Sequence, residues 1–189
     1  MSSFHLPPDG HGPLSWGEEQ KTEIEVILAR YPTKKAAVMP LLWMVQDTWD
    51  WISLDGVRLV AQTLELPPSH VLSVASFYTM FKKRPGGRYV LQVCHTLSCE
   101  LAGSEALLGQ ISEKLGIGVG ETTEDGMFSI ERVECLAACG AGPMMQVNED
   151  YHELVTEEKL QAILDAIRSG EPLSTPRPEA EQWTYTPVS

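Results

Sequence analysis

Four cysteines, and no others, stand in this chain as two close pairs: Cys94 and Cys99 in "CHTLSC", Cys135 and Cys139 in "CLAAC". If the pairs act together, the fold must bring residues 94–99 and 135–139 to one place across the intervening 35 residues, 100–134. Three uses compete. A redox dithiol wants Cys-x-x-Cys at a helix start, and neither spacing here matches it. Two disulfides suit an oxidising compartment. The N-terminal "MSSFHLPPDGHGP" has no basic start and no apolar core, so it is not read as a signal peptide, and a reducing compartment is expected. A metal centre remains.

The hydrophobic pattern changes period part-way along the chain. Residues 1–16 form an arm rich in Pro, Gly and His. Ser15-Trp16-Gly17-Glu18 fits a capping box, followed at helical spacing by Ile24, Ile27, Leu28 and Tyr31. A second helix is expected from about Lys35 to Trp51. A third is capped by Ser53 and ended by Pro67-Pro68, and a short fourth starts at Ser69. Residues 17–80 thus read as an all-helical unit. From "RYVLQVCH" (88–95) onward the pattern is that of strands: a helix over Ala102–Leu115, a strand at "FSIERVE", another at "PMMQVN" and a hairpin turn at Asn148-Glu149-Asp150. Thr156 caps a last helix that Gly170 ends. The order β-α-β-β-α over residues 81–170 suits a thioredoxin-like layer, a four-stranded mixed sheet with helices packed on it. The fold class is therefore α+β, an N-terminal helical unit followed by that layer. Residues 171–189 read as a tail, in which Trp183 and Tyr185 hint at an attachment.

Gathered thiolates repel unless a cation sits among them. Tetrahedral zinc accepts four, and both spacings fall within those of structural zinc sites. A [2Fe–2S] cluster also takes four thiolates, two per iron. Small residues around the second pair (Ala137, Ala138, Gly140, Ala141, Gly142) let backbone amides approach the sulfurs. Structural zinc commonly replaces a missing core, whereas this unit can bury its own. The residues favour iron–sulfur and leave zinc open.

Other features have plainer readings. The formal charge is −12, which repels phosphate backbones and argues against nucleic-acid binding. The longest apolar run, "AAVMPLLWMV", ends after ten residues, short of the roughly 20 of a membrane span. "GIGVGETTEDG" (116–126) has the wrong spacing and context for a dinucleotide loop and reads as a connector. "FKKRPGGR" gathers Lys82, Lys83, Arg84 and Arg88, either a solvated turn or a patch for an acidic partner. His95 adjoins Cys94 and is read as a neighbour of the centre, not a ligand. Trp43, Trp49, Trp51, Phe77 and Phe81 suggest that the helical unit exposes aromatic surface for partners. Glu100 and Glu134 adjoin Cys99 and Cys135 and are expected to oppose reduction. No catalytic constellation is present.

The segments "SFYTMF" (76–81), "GGRYVLQVCHTLSC" (86–99), "GETTEDGMFSIERVECLAAC" (120–139) and "GPMMQVNEDYHELVTEEKL" (142–160) resemble the thioredoxin-like [2Fe–2S] component, the E subunit, of bacterial NADH:quinone oxidoreductase, respiratory complex I. The resemblance spans about residues 17 to 168. It implies that Cys94, Cys99, Cys135 and Cys139 hold one [2Fe–2S] cluster, and that residues 81–170 form its domain. It implies an electron-transfer subunit that is not catalytic alone and exchanges single electrons with FMN in a partner F subunit. That partner also binds NADH, and an iron–sulfur G subunit adjoins it. The complex sits on the cytoplasmic side of the inner membrane, with no lipid contact by this chain. Related subunits serve NAD-linked formate dehydrogenases and hydrogenases, and a zinc-stabilised interaction module is the alternative from another class. In the family "GETT-DG" residues shape the surroundings of the cluster. Two positions depart from the pattern: Ala137 stands where glycine is common, and Gly142 where alanine is usual before Pro143. Should residue 137 adopt a positive φ, alanine there is strained by roughly 1 kcal/mol.

Overall fold

The computed structural model describes residues 7, 10 and 12–171, which divide into two compact units between Gly86 and Gly87. Most of the arm before residue 12, and the tail with Trp183 and Tyr185, lie outside the described residues.

The first unit is helical throughout: α1 (Glu18–Ala29), a 3-10 turn (Lys34–Ala37), α2 (Val38–Trp49), α3 (Leu54–Leu64) and α4 (Pro68–Phe77). Gly17, not Ser15, caps α1, because Gln20 sits at the third helical position and its Oε1 accepts the Gly17 N–H at 2.8 Å. Pro40 is harmless in the first turn of α2, where its missing N–H has no helical acceptor. That helix ends at Asp50, which turns left-handed (φ 67°), before Trp51 is reached. Ser53 caps α3 as expected, its Oγ accepting from the Gly56 N–H at 3.1 Å. Glu65, left-handed at φ 56°, stops α3 ahead of the prolines. Pro67 then caps α4, and Pro68, not Ser69, is its first residue.

Leu41, Leu42, Val45, Val57, Val60, Leu64, Val71 and Ala75 form the core of this unit. The expectation of a broad exposed aromatic face needs correcting. Phe81 and Trp51 are buried, Trp49 is half-buried against Trp16, and only Phe77 (77% exposed) and Trp43 remain outside. The reason lies in Gln46: its Oε1 accepts the Lys82 N–H at 2.6 Å, and its Nε2 donates to the Met80 carbonyl at 3.2 Å. Those bonds fold the segment carrying Phe81 back onto the core.

The second unit contains β1 (Tyr89–Cys94), α5 (Leu97–Leu101), α6 (Ser104–Leu115), β2 (Phe128–Val133), β3 (Met145–Val147), β4 (Asp150–His152) and α7 (Glu157–Ser169). The four strands form one mixed sheet in the order β2-β1-β3-β4, the thioredoxin-like layer expected. β1 runs parallel to β2 and antiparallel to β3, so it is flanked on both edges. That position explains a strand in which Val90, Leu91, Val93 and Cys94 are all buried. Leu107, Leu108 and Ile111 of α6 and Leu160, Ile163, Leu164 and Ile167 of α7 join Leu91, Val93, Ile130 and Val147 in one core. At about 25 cal/mol per Å², each fully buried Leu or Ile contributes roughly 2 kcal/mol.

The helix expected over Ala102–Leu115 is α6, which starts at Ser104, and a short helix that the sequence reading lacked, α5, precedes it. The chain breaks at Ala102-Gly103, where Gly103 takes φ 102°, a conformation costly for any residue with a Cβ. The break frees α5 to turn separately and bury Cys99.

The connector 116–126 is hydrogen-bonded to β2. Thr123 N–H donates to the Phe128 carbonyl at 2.8 Å, Gly120 N–H to the Ile130 carbonyl at 2.7 Å, and Thr122 bridges Ser129. These bonds tie it to the first half of β2. The cysteines adjoin the last residue of that strand, Val133, which pairs with Cys94.

Candidate metal centre

The parallel pairing of β1 with β2 brings the two cysteine segments to the same end of the sheet. Cys94 closes β1 opposite Val133, and Cys135 follows two residues after that partner. Cys99 lies in α5, and Cys139 opens a 3-10 turn, Cys139–Ala141. Cys94 and Cys99 are buried with Met144 in a small cluster of their own, and Leu136 and Ala138 of the second loop pack against it. Cys135 and Cys139 are exposed, with their sulfurs 3.4 Å apart. The thiols therefore stand as two pairs, one sealed and one open. Among the described residues no three His, Cys, Asp or Glu side chains gather as they would around a single metal ion.

Backbone amides from both loops point at these sulfurs. The Ala137 N–H donates to Cys135 Sγ at 3.3 Å. Burial works against ionisation of Cys94, but the N–H groups of Thr96 and Leu136 and the Cys99 thiol together hold its pKa below the usual thiol value. Burial and the neighbouring Cys94 together push Cys99 up to about 11, with the Met144 N–H opposing them. Cys139 is raised by its hydrogen bond and charge coupling to Cys135. Cys94 thus hinders ionisation of Cys99, and Cys135 that of Cys139. Four thiolates at this place need positive charge among them.

The loop geometry answers both departures. Ala137 does adopt a positive φ, 65°, which turns its N–H back onto Cys135. A Cβ on Gly142 would stand 3.1 Å from the Ala102 Cβ and 3.3 Å from the Cys99 Cα. Glycine at 142 therefore lets the second loop close on α5. Ala137→Gly is expected to stabilise the protein by about 0.5–1 kcal/mol, the relief of left-handed strain less the added freedom of the unfolded chain. Thermal unfolding should shift up by roughly 2 °C; an unchanged or lower midpoint would mean the alanine is not strained.

His95 Nε2 lies 3.3 Å from Glu134 Oε1, an exposed ion-pair geometry, so this histidine engages a carboxylate. Glu134 is largely in water and Glu100 accepts a hydrogen bond from the Ser104 hydroxyl at 3.1 Å. Solvent screens both charges, which reduces the opposition to reduction expected of them. Sequence reasoning missed Thr96, whose hydroxyl oxygen is buried without a hydrogen-bond partner. Its signal was its place, midway between two cysteines at the start of a helix.

A family model described as thioredoxin-like [2Fe–2S] ferredoxin matches residues 24–168. The chain belongs to this family. A relative from Thermus thermophilus, NADH-quinone oxidoreductase subunit 2, is 43% identical over 85% of this chain and 90% of its own length. An NADH-quinone oxidoreductase E subunit of Rhizobium meliloti is also 43% identical, over 80% of this chain and 90% of its own. A solved NAD+-reducing [NiFe]-hydrogenase shares the fold at a TM-score of 0.64 and 19% identity, over 78% of this chain and 24% of that one. As a thioredoxin-like [2Fe–2S] ferredoxin, the chain is suited to a two-iron cluster by the geometry above. It offers four sulfurs in two pairs, amides aimed at them, and an unpaired buried hydroxyl beside Cys94.

Proposed function

We propose that this chain is the electron-carrying E subunit of an NADH:quinone oxidoreductase, with Cys94, Cys99, Cys135 and Cys139 as the ligands of one [2Fe–2S] cluster. When bound, the cluster supplies a one-electron redox couple. The observation that carries the reading is the pairing of thiols at one end of a parallel strand pair, one pair sealed and the other open. Two pairs suit two irons, whereas one zinc would need the four sulfurs around a single point.

The chain's own residues divide the work. Cys94 and Cys99, closed over by Met144, Leu136 and Ala138, shield one side from water. Cys135 and Cys139 face outward, so an electron partner approaches there. Around that opening α5 exposes Leu97 (71%) and Leu101 (81%). Leu154 (61% exposed) adjoins the second loop through its N–H bond to the Ala141 carbonyl at 2.8 Å. Apolar residues in such a position favour contact with another protein. The partner proposed is the F subunit, which carries FMN and binds NADH, with an iron–sulfur G subunit adjoining. The assembly is proposed to lie on the cytoplasmic side of the inner membrane; among the described residues no helix is long and apolar enough to cross it. Equivalent subunits of NAD-linked hydrogenases or formate dehydrogenases are a weaker reading, because the hydrogenase likeness is one of fold whereas the 43% relatives are quinone-reductase subunits.

Protein purified without air should be reduced by NADH only when the flavoprotein partner is added, as seen by loss of visible absorbance. Leu97→Asp combined with Leu101→Asp should leave iron and sulfide content unchanged while slowing that reduction about tenfold, the effect of losing roughly 1.4 kcal/mol of docking. An unchanged rate would place the docking surface elsewhere.

A further inference from the structure

Thr96 occupies the capping position of α5, with extended backbone at φ −73° and ψ 156°. A threonine there ordinarily accepts a hydrogen bond from an N–H of the first helical turn. This one makes no such bond. Its hydroxyl oxygen is nonetheless sealed from solvent and has no hydrogen-bond partner, which makes it one of two such side-chain atoms among the described residues. Buried hydroxyls are seldom left unpaired, since nothing replaces the water they lose. The other, His152 Nε2, lies in β4, which pairs with β3 and not with the strand that ends at Cys94.

We infer that the Thr96 hydroxyl donates a hydrogen bond to the Cys94 sulfur when the cluster is held, and so raises the potential at which the cluster is reduced. The inference rests on Cys94 being a ligand, as proposed above. Two observations lead to it. The hydroxyl is two residues from Cys94 and three from Cys99, both buried. It has no hydrogen-bond partner, so its proton is free to be given. Reduction adds negative charge to a centre already anionic, and a donor to a ligand sulfur offsets part of it. The backbone N–H groups at the same sulfur stay in place when side chains change. Thr96 is therefore the donor that substitution can remove.

The test is a redox titration of the full-length, cluster-loaded protein, after iron and sulfide per chain have been measured. Thr96→Val keeps the shape and removes the hydroxyl, and Thr96→Ser keeps the hydroxyl and removes the methyl group. The valine variant should show a five- to tenfold lower ratio of reduced to oxidised cluster at a fixed potential. That is a fall of about 40–60 mV at 59 mV per decade for one electron. The serine variant should titrate with the parent. A valine midpoint equal to the parent's overturns the inference, and so does a serine midpoint that falls as far as valine's, since packing would then be the cause. If the valine variant does not load, the serine and alanine variants, which differ by one oxygen, give the same comparison: a lower alanine midpoint supports the inference and equal midpoints overturn it. A parent protein lacking two irons and two sulfides would instead remove the cluster reading, and the inference with it.

Discussion

Replacing Cys94 or Cys99 with serine is expected to abolish the visible absorption of the protein and the spin-half EPR signal of its reduced form. Replacing Cys135 or Cys139 is expected to weaken them. The grading follows from burial. Cys94 and Cys99 are 1% and 2% exposed and packed against Met144, so a serine oxygen there must lose its water and find a new donor in an apolar pocket. Cys135 and Cys139 are open to solvent, where a serine oxygen or a water can complete an iron's coordination imperfectly. The parent should contain two irons and two acid-labile sulfides per chain. His95→Ala should leave the four-thiolate spectrum intact, because that imidazole is occupied by Glu134. A colourless protein with one zinc per chain would defeat the assignment. Equal loss at all four positions would show that burial does not set the order.

The residues that such an experiment probes were legible in the sequence because their chemistry is local: paired cysteines need no fold to announce them. The sheet was legible for a related reason. Strand periodicity in "RYVLQVCH" and "FSIERVE" and the turn at Asn148 fixed which segments could pair, and Asn148 does adopt a left-handed φ of 53°. What escaped were effects of distant neighbours. The burial of Phe81 depends on Gln46, some 35 positions earlier, gripping the backbone on either side of it. The split between α5 and α6 depends on Gly103 being left-handed, which composition permits but does not require. Thr96 was invisible because the unusual thing about it is a bond it does not make.

The largest stability loss is expected at a residue remote from the cysteines, Gly87. A Cβ there would lie 2.5 Å from the Phe128 carbonyl carbon and 2.8 Å from the Ser129 nitrogen. Both are backbone atoms of β2, so no side chain can swing aside and the strand itself must move. The Gly87 N–H also donates to Ser129 Oγ at 2.6 Å, which fixes the separation from the other side. The next residues continue the contact, with Tyr89 N–H bonded to the Met127 carbonyl at 2.8 Å. Gly87→Ala should therefore cost about 3 kcal/mol, at the upper end of overpacking effects. The thermal midpoint should fall by roughly 6–12 °C for a chain of this size. Two controls separate the causes. Ser129→Ala removes the acceptor of the Gly87 N–H together with the hydroxyl bond to Thr122 and should cost about 1–2 kcal/mol. Gly109→Ala, within α6 where an added Cβ meets nothing within 4 Å, should stabilise by roughly 0.5–1 kcal/mol through helix propensity. Cluster content of Gly87→Ala should follow the folded fraction, because Cys94 and Val133 pair at the opposite end of the same two strands. A loss below 1 kcal/mol would mean that β1 and β2 do not approach as closely at their start. Cluster loss in excess of unfolding would mean that strain at Gly87 travels the length of the strand pair to the cysteines.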